Sequence, residues 1–190
     1  MIAFCSDHGE LLGHFGMLTK SIDEYPILYD VGLRVPMIVR SPGQKAGLTV
    51  EDSVELVDIC PTLLACAEQE VAPEIQARDL SGCLRGDPAP ERPYVFAESG
   101  AVKIIRGERH KLVYYPGQPY GELYDVVRDP SEVENLYDRE DWREVRNQLT
   151  RDLLDRIIHT EGAIHGPSNR GEAYWRYLHS EAFQRTPHDG

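Results

Sequence analysis

An aspartate and a histidine stand side by side in Ser6-Asp7-His8-Gly9-Glu10, and a lysine follows at Lys20. The apolar stretch from Met1 to Cys5 leads into this turn, which is how a strand presents ligands at its carboxyl end. A carboxylate next to an imidazole suits a divalent cation. Oxygen donors dominate Ca2+ and Mg2+ sites, and imidazole is better tolerated by Mn2+, Zn2+ or Fe. Two donors do not complete a coordination sphere, and no second carboxylate pair sits at another strand end in comparable context. Taken alone, an Asp-His dipeptide is more often a capped turn than a metal site, and Lys20 a surface ammonium. Brought beside a metal, Lys20 would instead hold an anionic oxygen and offset charge developing on a leaving group.

The elements that must position these residues follow from patterning. A strand over residues 1–6 ends at the Asp7-His8 turn, and a second over residues 35–40 is closed by Ser41-Pro42-Gly43, where Pro sets φ and Gly accepts a positive φ. Both runs are almost continuously apolar, which suits strands covered on two faces and predicts a parallel or mixed sheet flanked by helices. Asp58 is placed to cap a helix through Ile59, Leu63, Leu64 and Ala67, with Pro61 tolerated in the first turn. Residues 71–92 are rich in Pro, Gly and charge and read as a surface connection. Four β-like segments follow, Tyr94 to Glu98, Val102 to Arg106, Lys111 to Tyr115 and Glu122 to Asp125, separated by Gly or Pro signals that favour an antiparallel sheet.

Asp141 and Glu144 form a capping-box-like start to a long helix. Trp142, Val145, Leu149, Leu153, Leu154, Ile157 and Ile158 make one apolar stripe, with Gly162 as its expected end and a face of the sheet as its partner. The expected organisation is an α/β part over residues 1–92, an α+β subdomain with a four-stranded antiparallel sheet and a long C-terminal helix over 93–162, and a tail arm over 163–190. That arm carries Tyr174, Trp175, Tyr177, Leu178 and Phe183.

Composition excludes several functions. The chain has 190 residues, 41% of them apolar, enough for a real core. Lys plus Arg number 20 against 32 Asp plus Glu, a net charge of −12, which argues against a nucleic acid held by bulk charge. No apolar run approaches the ~20 residues that span a bilayer. Cys5, Cys60, Cys66 and Cys83 match neither a zinc ribbon nor a redox pair, so buried free thiols are expected. None lies in a C-x-P-x-R context.

Several ordered blocks resemble the C-terminal half of the sulfatases, in the alkaline-phosphatase-like superfamily. They are Ser6-Asp7-His8-Gly9-Glu10-Leu11-Leu12-Gly13 with Gly16 and Lys20, then Tyr29-Asp30 and Leu33-Arg34-Val35-Pro36-Met37-Ile38-Val39. The series continues through Val57-Asp58-Ile59-Cys60-Pro61-Thr62-Leu63-Leu64, Arg109-His110-Lys111-Leu112-Val113, Glu122-Leu123-Tyr124-Asp125-Val126 with Asp129-Pro130, and Glu134-Asn135-Leu136. The resemblance spans about residues 1–160 and leaves the final arm unmatched.

The resemblance implies that Asp7 and His8 are two protein ligands of a single divalent cation, Ca2+ first, with Mn2+ or Mg2+ as alternatives. It implies that Lys20 contacts the sulfate and its bridging oxygen. Many relatives have Asp-His where His14-Phe15 stands, which leaves His14 as a weaker catalytic candidate and removes one common histidine. The family's Asp-Asp metal pair and formylglycine nucleophile are expected in an N-terminal half that these residues do not include. The implied reaction is hydrolysis of a small-molecule or carbohydrate sulfate ester, with a phosphonate or phosphate ester hydrolase as the alternative. On its own the chain is expected to be a non-catalytic piece. A first strand with open edges also predicts association, with a second copy or with the N-terminal half, or else a frayed N-terminus. His110, His159, His165, His179, His188 and Glu98 read as structural or solvated groups.

Overall fold

The computed structural model describes residues 1–18, 21–22, 25–26, 28–72 and 75–164. In chain order the elements are β1 (Ile2–Cys5), β2 (Ser21–Ile22), β3 (Tyr25–Pro26), the single-turn helix α1 (Asp30–Leu33), β4 (Met37–Arg40) and α2 (Ile59–Cys66). Then come β5 (Val95–Ser99), β6 (Val102–Arg106), β7 (His110–Tyr114), β8 (Gly121–Asp125) and α3 (Arg143–Ile164). Among the described residues no helix is long and apolar enough to cross a membrane. The aromatic residues of the tail arm lie outside the described residues.

Strands β5 to β8 form an antiparallel meander in sequence order, each within a residue or two of the segment that alternation predicts. Period-two alternation then divides its side chains between two cores. On one face Ile105, Leu112 and Leu123 meet Leu136 and, from α3, Leu149 and Leu153, with Tyr94, Phe96, Trp142, Val145 and Ile157 around them. On the other face Val102, Ile104 and Val113 receive Leu28 and Leu33, which flank and close α1. The sheet is thus the middle layer between α3 and the segment that carries α1.

The helix α3 uses a narrower stripe than its sequence pattern implies. Leu154 is 55% exposed and Ile158 46%, while Leu149 and Leu153 are each 4% exposed. One helical face meets one sheet face, and residues a step round the axis stay in water. Asp141 does not cap this helix: it lies in a 3-10 turn, Glu140–Trp142, and its carboxylate pairs with Arg139 at 2.9 Å. Gly162 does not end the helix either, which continues to Ile164.

The N-terminal strands differ from expectation in pairing and in cover. β1 and β4 run antiparallel, with Cys5 opposite Met37 and Ile2 opposite Arg40. Ile2, Phe4 and Ile38 are 67%, 60% and 65% exposed, so among the described residues nothing covers the apolar ribbon. Cys5, Cys60 and Cys66 are exposed for the related reason that, among the described residues, nothing covers β1 or the outer face of α2, and of the four cysteines Cys83 alone is buried.

Asp58 precedes α2 as expected but does not cap it. Its carboxylate is fully buried and accepts Arg92 Nη2 at 2.7 and 2.9 Å, the Arg78 amide at 2.8 Å and the Glu55 amide at 2.8 Å. Four hydrogen bonds from three donors offset the cost of burying this charge. Glu55 also takes Arg92 and accepts the Phe96 amide at 2.6 Å, which ties α2 to β5. The connection after α2 is therefore no mere surface strap, since Leu80 and Cys83 are buried within it.

Two predictions follow from this packing. Leu149→Ala should cost ~2–5 kcal/mol in urea unfolding, the range for emptying a leucine site in a closed core. Acid should act through two groups at the β7–β8 edge. Burial, beside the Trp142 ring at 5.6 Å, pushes the His110 imidazole below its ordinary value. The Arg109 guanidinium, 2.8 Å from Asp125, holds that carboxyl below the carboxylate range. In both cases the unfolded chain takes up the proton first, so stability is present above the ordinary value and is lost as pH falls through the folded one. His110→Phe should flatten the loss that begins near pH ~6.5, and Arg109→Met the loss below ~3.9, in unfolding midpoints measured against pH.

Candidate metal-binding turn

The Asp7-His8 turn is organised by its own backbone. The Ser6 hydroxyl donates to the His8 carbonyl at 2.7 Å, and the His8 amide donates to Asp7 Oδ1 at 2.9 Å. His8 Nδ1 stands 2.9 Å from the Gly9 carbonyl, which can only accept, so this contact places a proton on Nδ1. Nε2 then faces Asp7 Oδ2 at 3.4 Å. The two donor atoms converge from one turn, with the Asp7 side chain 84% exposed and that of His8 39%. A carboxylate oxygen and an imidazole nitrogen this close fit two positions around one divalent cation. Among the described residues no group of three or more His, Cys, Asp or Glu is gathered to complete such a site.

Gly9 locks the turn against α1. Its amide donates to the Gly32 carbonyl at 2.8 Å, and a Cβ at position 9 would stand 2.2 Å from the Val31 carbonyl oxygen. Only glycine permits that approach. α1 is in turn held from the opposite side by buried charge. Asp30 Oδ1 takes Lys111 Nζ at 3.2 Å, Asp30 Oδ2 takes Arg106 Nε at 3.1 Å, and Glu132 accepts both the Lys111 ammonium and the Asp30 amide. Lys111 is fully buried, Glu132 is 3% exposed and Asp30 is 9% exposed. Burial pushes the Glu132 carboxyl up, against the pull of Lys111.

The other candidates fare differently. His14 opens a 3-10 turn, His14–Gly16, and its ring contacts are aromatic: Phe15 at 4.3 Å and Tyr29 at 6.0 Å. Phe15 adopts φ 50°, ψ 25°, a left-handed backbone that is strained for a bulky residue. Lys20 lies outside the described residues.

Sequence reasoning did not find the ion cluster around Asp30. A signal existed, because Lys111 shares the face of Val113 in the alternation of β7, and a lysine on a core face needs a carboxylate. It also missed the acceptor role of Glu122, which takes the Tyr115 hydroxyl at 2.7 Å and the Tyr124 hydroxyl at 3.0 Å. Burial and the Glu122 charge push both phenols up, so both stay protonated.

Residues 19–159 match a family model described as N-sulphoglucosamine sulphohydrolase, C-terminal. The chain belongs to the sulfatase family. The match begins beyond the Asp7-His8 turn, so membership does not rest on the turn itself. The sulfatase chain is 25% identical to an arylsulfatase of Clostridium perfringens over 162 residues, 81% of this chain and 33% of that protein. It is 30% identical to a Delta 4,5-hexuronate-2-O-sulfatase of Bacteroides thetaiotaomicron over 148 residues, 72% of this chain and 30% of that one. Among solved structures, the phosphonate monoester hydrolase from Silicibacter pomeroyi superposes with a TM-score of 0.75 at 27% identity, covering 84% of this chain and 35% of that chain. The chain spans about a third of the length of the curated relatives it matches. Its fold is the C-terminal part of the alkaline-phosphatase-like α/β fold, closed by a small α+β subdomain of four antiparallel strands and a long helix.

The close approach at Gly9 can be tested directly. Gly9→Ala should destabilise by ~1–3 kcal/mol, as overpacking does. Chemical-shift changes should concentrate at residues 6–10 and 30–33, while the cores on the two sheet faces keep their signals.

Proposed function

We propose that this chain is the C-terminal portion of a sulfate ester hydrolase, in which Asp7 and His8 supply two ligands of a divalent cation and Lys20 contacts the sulfate. Ca2+ is the first choice, with Mn2+ and Mg2+ as alternatives. The observation that carries this reading is the convergence of Asp7 Oδ2 and His8 Nε2 at 3.4 Å, on a chain whose residues 19–159 match a sulphohydrolase family model. When bound, the cation would supply Lewis-acid polarisation of the ester oxygens. The protein's own part is to hold the Asp7-His8 turn in one orientation, through Gly9 and α1, and to bring the Lys20 ammonium to the departing oxygen. An ammonium there offsets the charge that grows on the alcohol as the S–O bond breaks.

The 190 residues hold no C-x-P-x-R segment, so no formylglycine nucleophile arises within them. The isolated chain is accordingly inactive, and its substrate class is a small-molecule or carbohydrate sulfate ester acted on by the longer protein. The likeness to two phosphonate monoester hydrolases, with TM-scores of 0.75 and 0.72, favours a phosphonate or phosphate ester as the second reading. The nucleophile discriminates the readings, so whether a longer coding sequence holds a C-x-P-x-R or related Cys- or Ser-bearing segment, or another pattern, is the first thing to determine. Assay of the longer protein on an aryl sulfate against an aryl phosphonate then separates them. Exposed Ile2, Phe4 and Ile38 support association of the isolated chain, either with a second copy or with an N-terminal portion. Concentration-dependent sedimentation is the expected result, and a compact monomer with a protected β1 would refute it.

The purified chain should bind Ca2+ no more tightly than the ~10⁻⁴–10⁻³ M of weak oxygen-ligand sites, since two donors fall short of the six to eight that Ca2+ takes. Calorimetry on the parent and on Asp7→Asn checks this. Binding in the nanomolar range, or aryl sulfate hydrolysis lost in Lys20→Ala, would overturn the assignment of an incomplete site.

A further inference from the structure

We infer that Glu132 is a positioning residue for the Asp7-His8 turn, acting through Asp30, α1 and Gly9. The inference deepens the metal-ligand reading of that turn and rests on it. Glu132 follows β8 and is far from the turn in sequence, yet the path between them is continuous. One carboxylate oxygen accepts the Lys111 ammonium and the other the Asp30 amide. Asp30 opens α1, and its own carboxylate meets Lys111 at 3.2 Å and Arg106 at 3.1 Å. Two residues on, the Gly32 carbonyl receives the Gly9 amide at 2.8 Å, and Gly9 directly follows the two candidate ligands. A single helical turn of four residues has no stability of its own, so its place is set by what grips it. Glu132 grips its first amide from a buried site. Its backbone sits at φ 55°, in the left-handed region that a long side chain rarely adopts. Such a conformation persists where its surroundings over-determine it.

Amide exchange on the full 190-residue chain tests the coupling without requiring activity. Glu132→Ala removes the acceptor of the Asp30 amide and should speed exchange at Gly9 at least tenfold relative to the core amides of β6 and β7. Glu132→Gln keeps an oxygen for that amide and should fall between parent and alanine variant. It also carries the comparison if the alanine variant does not fold. Leu149→Ala, which loosens the opposite core, should speed the sheet amides without singling out Gly9. Mn2+ added as a paramagnetic probe should broaden the His8 ring signals, with at least threefold more Mn2+ needed in Glu132→Ala. Gly9 exchange that is unchanged in both Glu132 variants, or that moves only in proportion to the sheet amides, overturns the inference. Absence of Mn2+ broadening in the parent would instead remove the metal-ligand reading, and the exchange comparison would still decide the positioning role.

Discussion

Two cations face each other across neighbouring strands: Arg106 of β6 lies directly opposite Lys111 of β7. Like charges so placed repel, and one of them is wholly buried. The arrangement is tolerable only because Asp30 enters between them, one carboxylate oxygen to each, with Glu132 taking the rest of the lysine's charge. Breaking such a cluster on one side strands a buried charge, which is far costlier than the pairing is favourable. The consequence is geometric. α1 has one place on the sheet, Leu28 and Leu33 pack beside it, and the Gly32 carbonyl is presented where Gly9 can reach it.

The same device recurs at the other junction. Asp58, at the start of α2, is as buried as Lys111 and is closed off by Arg92 and two amides from neighbouring loops, while Glu55 reaches the first residues of β5. In both cases a carboxylate at the beginning of a short helix meets a cation distant in sequence, Lys111 and Arg106 for Asp30 and Arg92 for Asp58. The apolar cores hold the sheet between α3 and α1, and the charged clusters choose how the N-terminal elements sit on it. Non-directional burial would allow those short helices to slide, whereas a bidentate or bridging carboxylate does not.

The Asp7-His8 turn inherits this precision. Its two donor atoms need no long-range contact to lie near each other, because adjacent residues on one turn share a neighbourhood in any fold. What they need is a fixed direction, and that comes from Gly9 against α1. The aromatic group of His14, Phe15 and Tyr29 stands next to α1 as well, with Tyr29 at its N-terminus and 6.4 Å from the Tyr124 ring. Phe15 fills an aromatic contact there, between His14 and Tyr29.

Much of this was legible in the residues. The four strands of the meander, the long helix and the side of it that packs, and the adjacency of Asp7 and His8 all follow from local rules. Alternation, 3.6-residue periodicity and turn chemistry act within a few positions of the chain. Family membership was legible too, from ordered blocks such as Asp58-Ile59-Cys60-Pro61-Thr62 and Glu122-Leu123-Tyr124-Asp125. The antiparallel pairing of β1 with β4 was not legible, because an apolar run states that a strand seeks cover without naming its neighbour or its direction. Nor were the partners of Asp30, which lies 81 positions from Lys111. A carboxylate's type and spacing say only that it wants a donor. Which donor it meets is decided when two faces come together, and that meeting belongs to the tertiary structure alone.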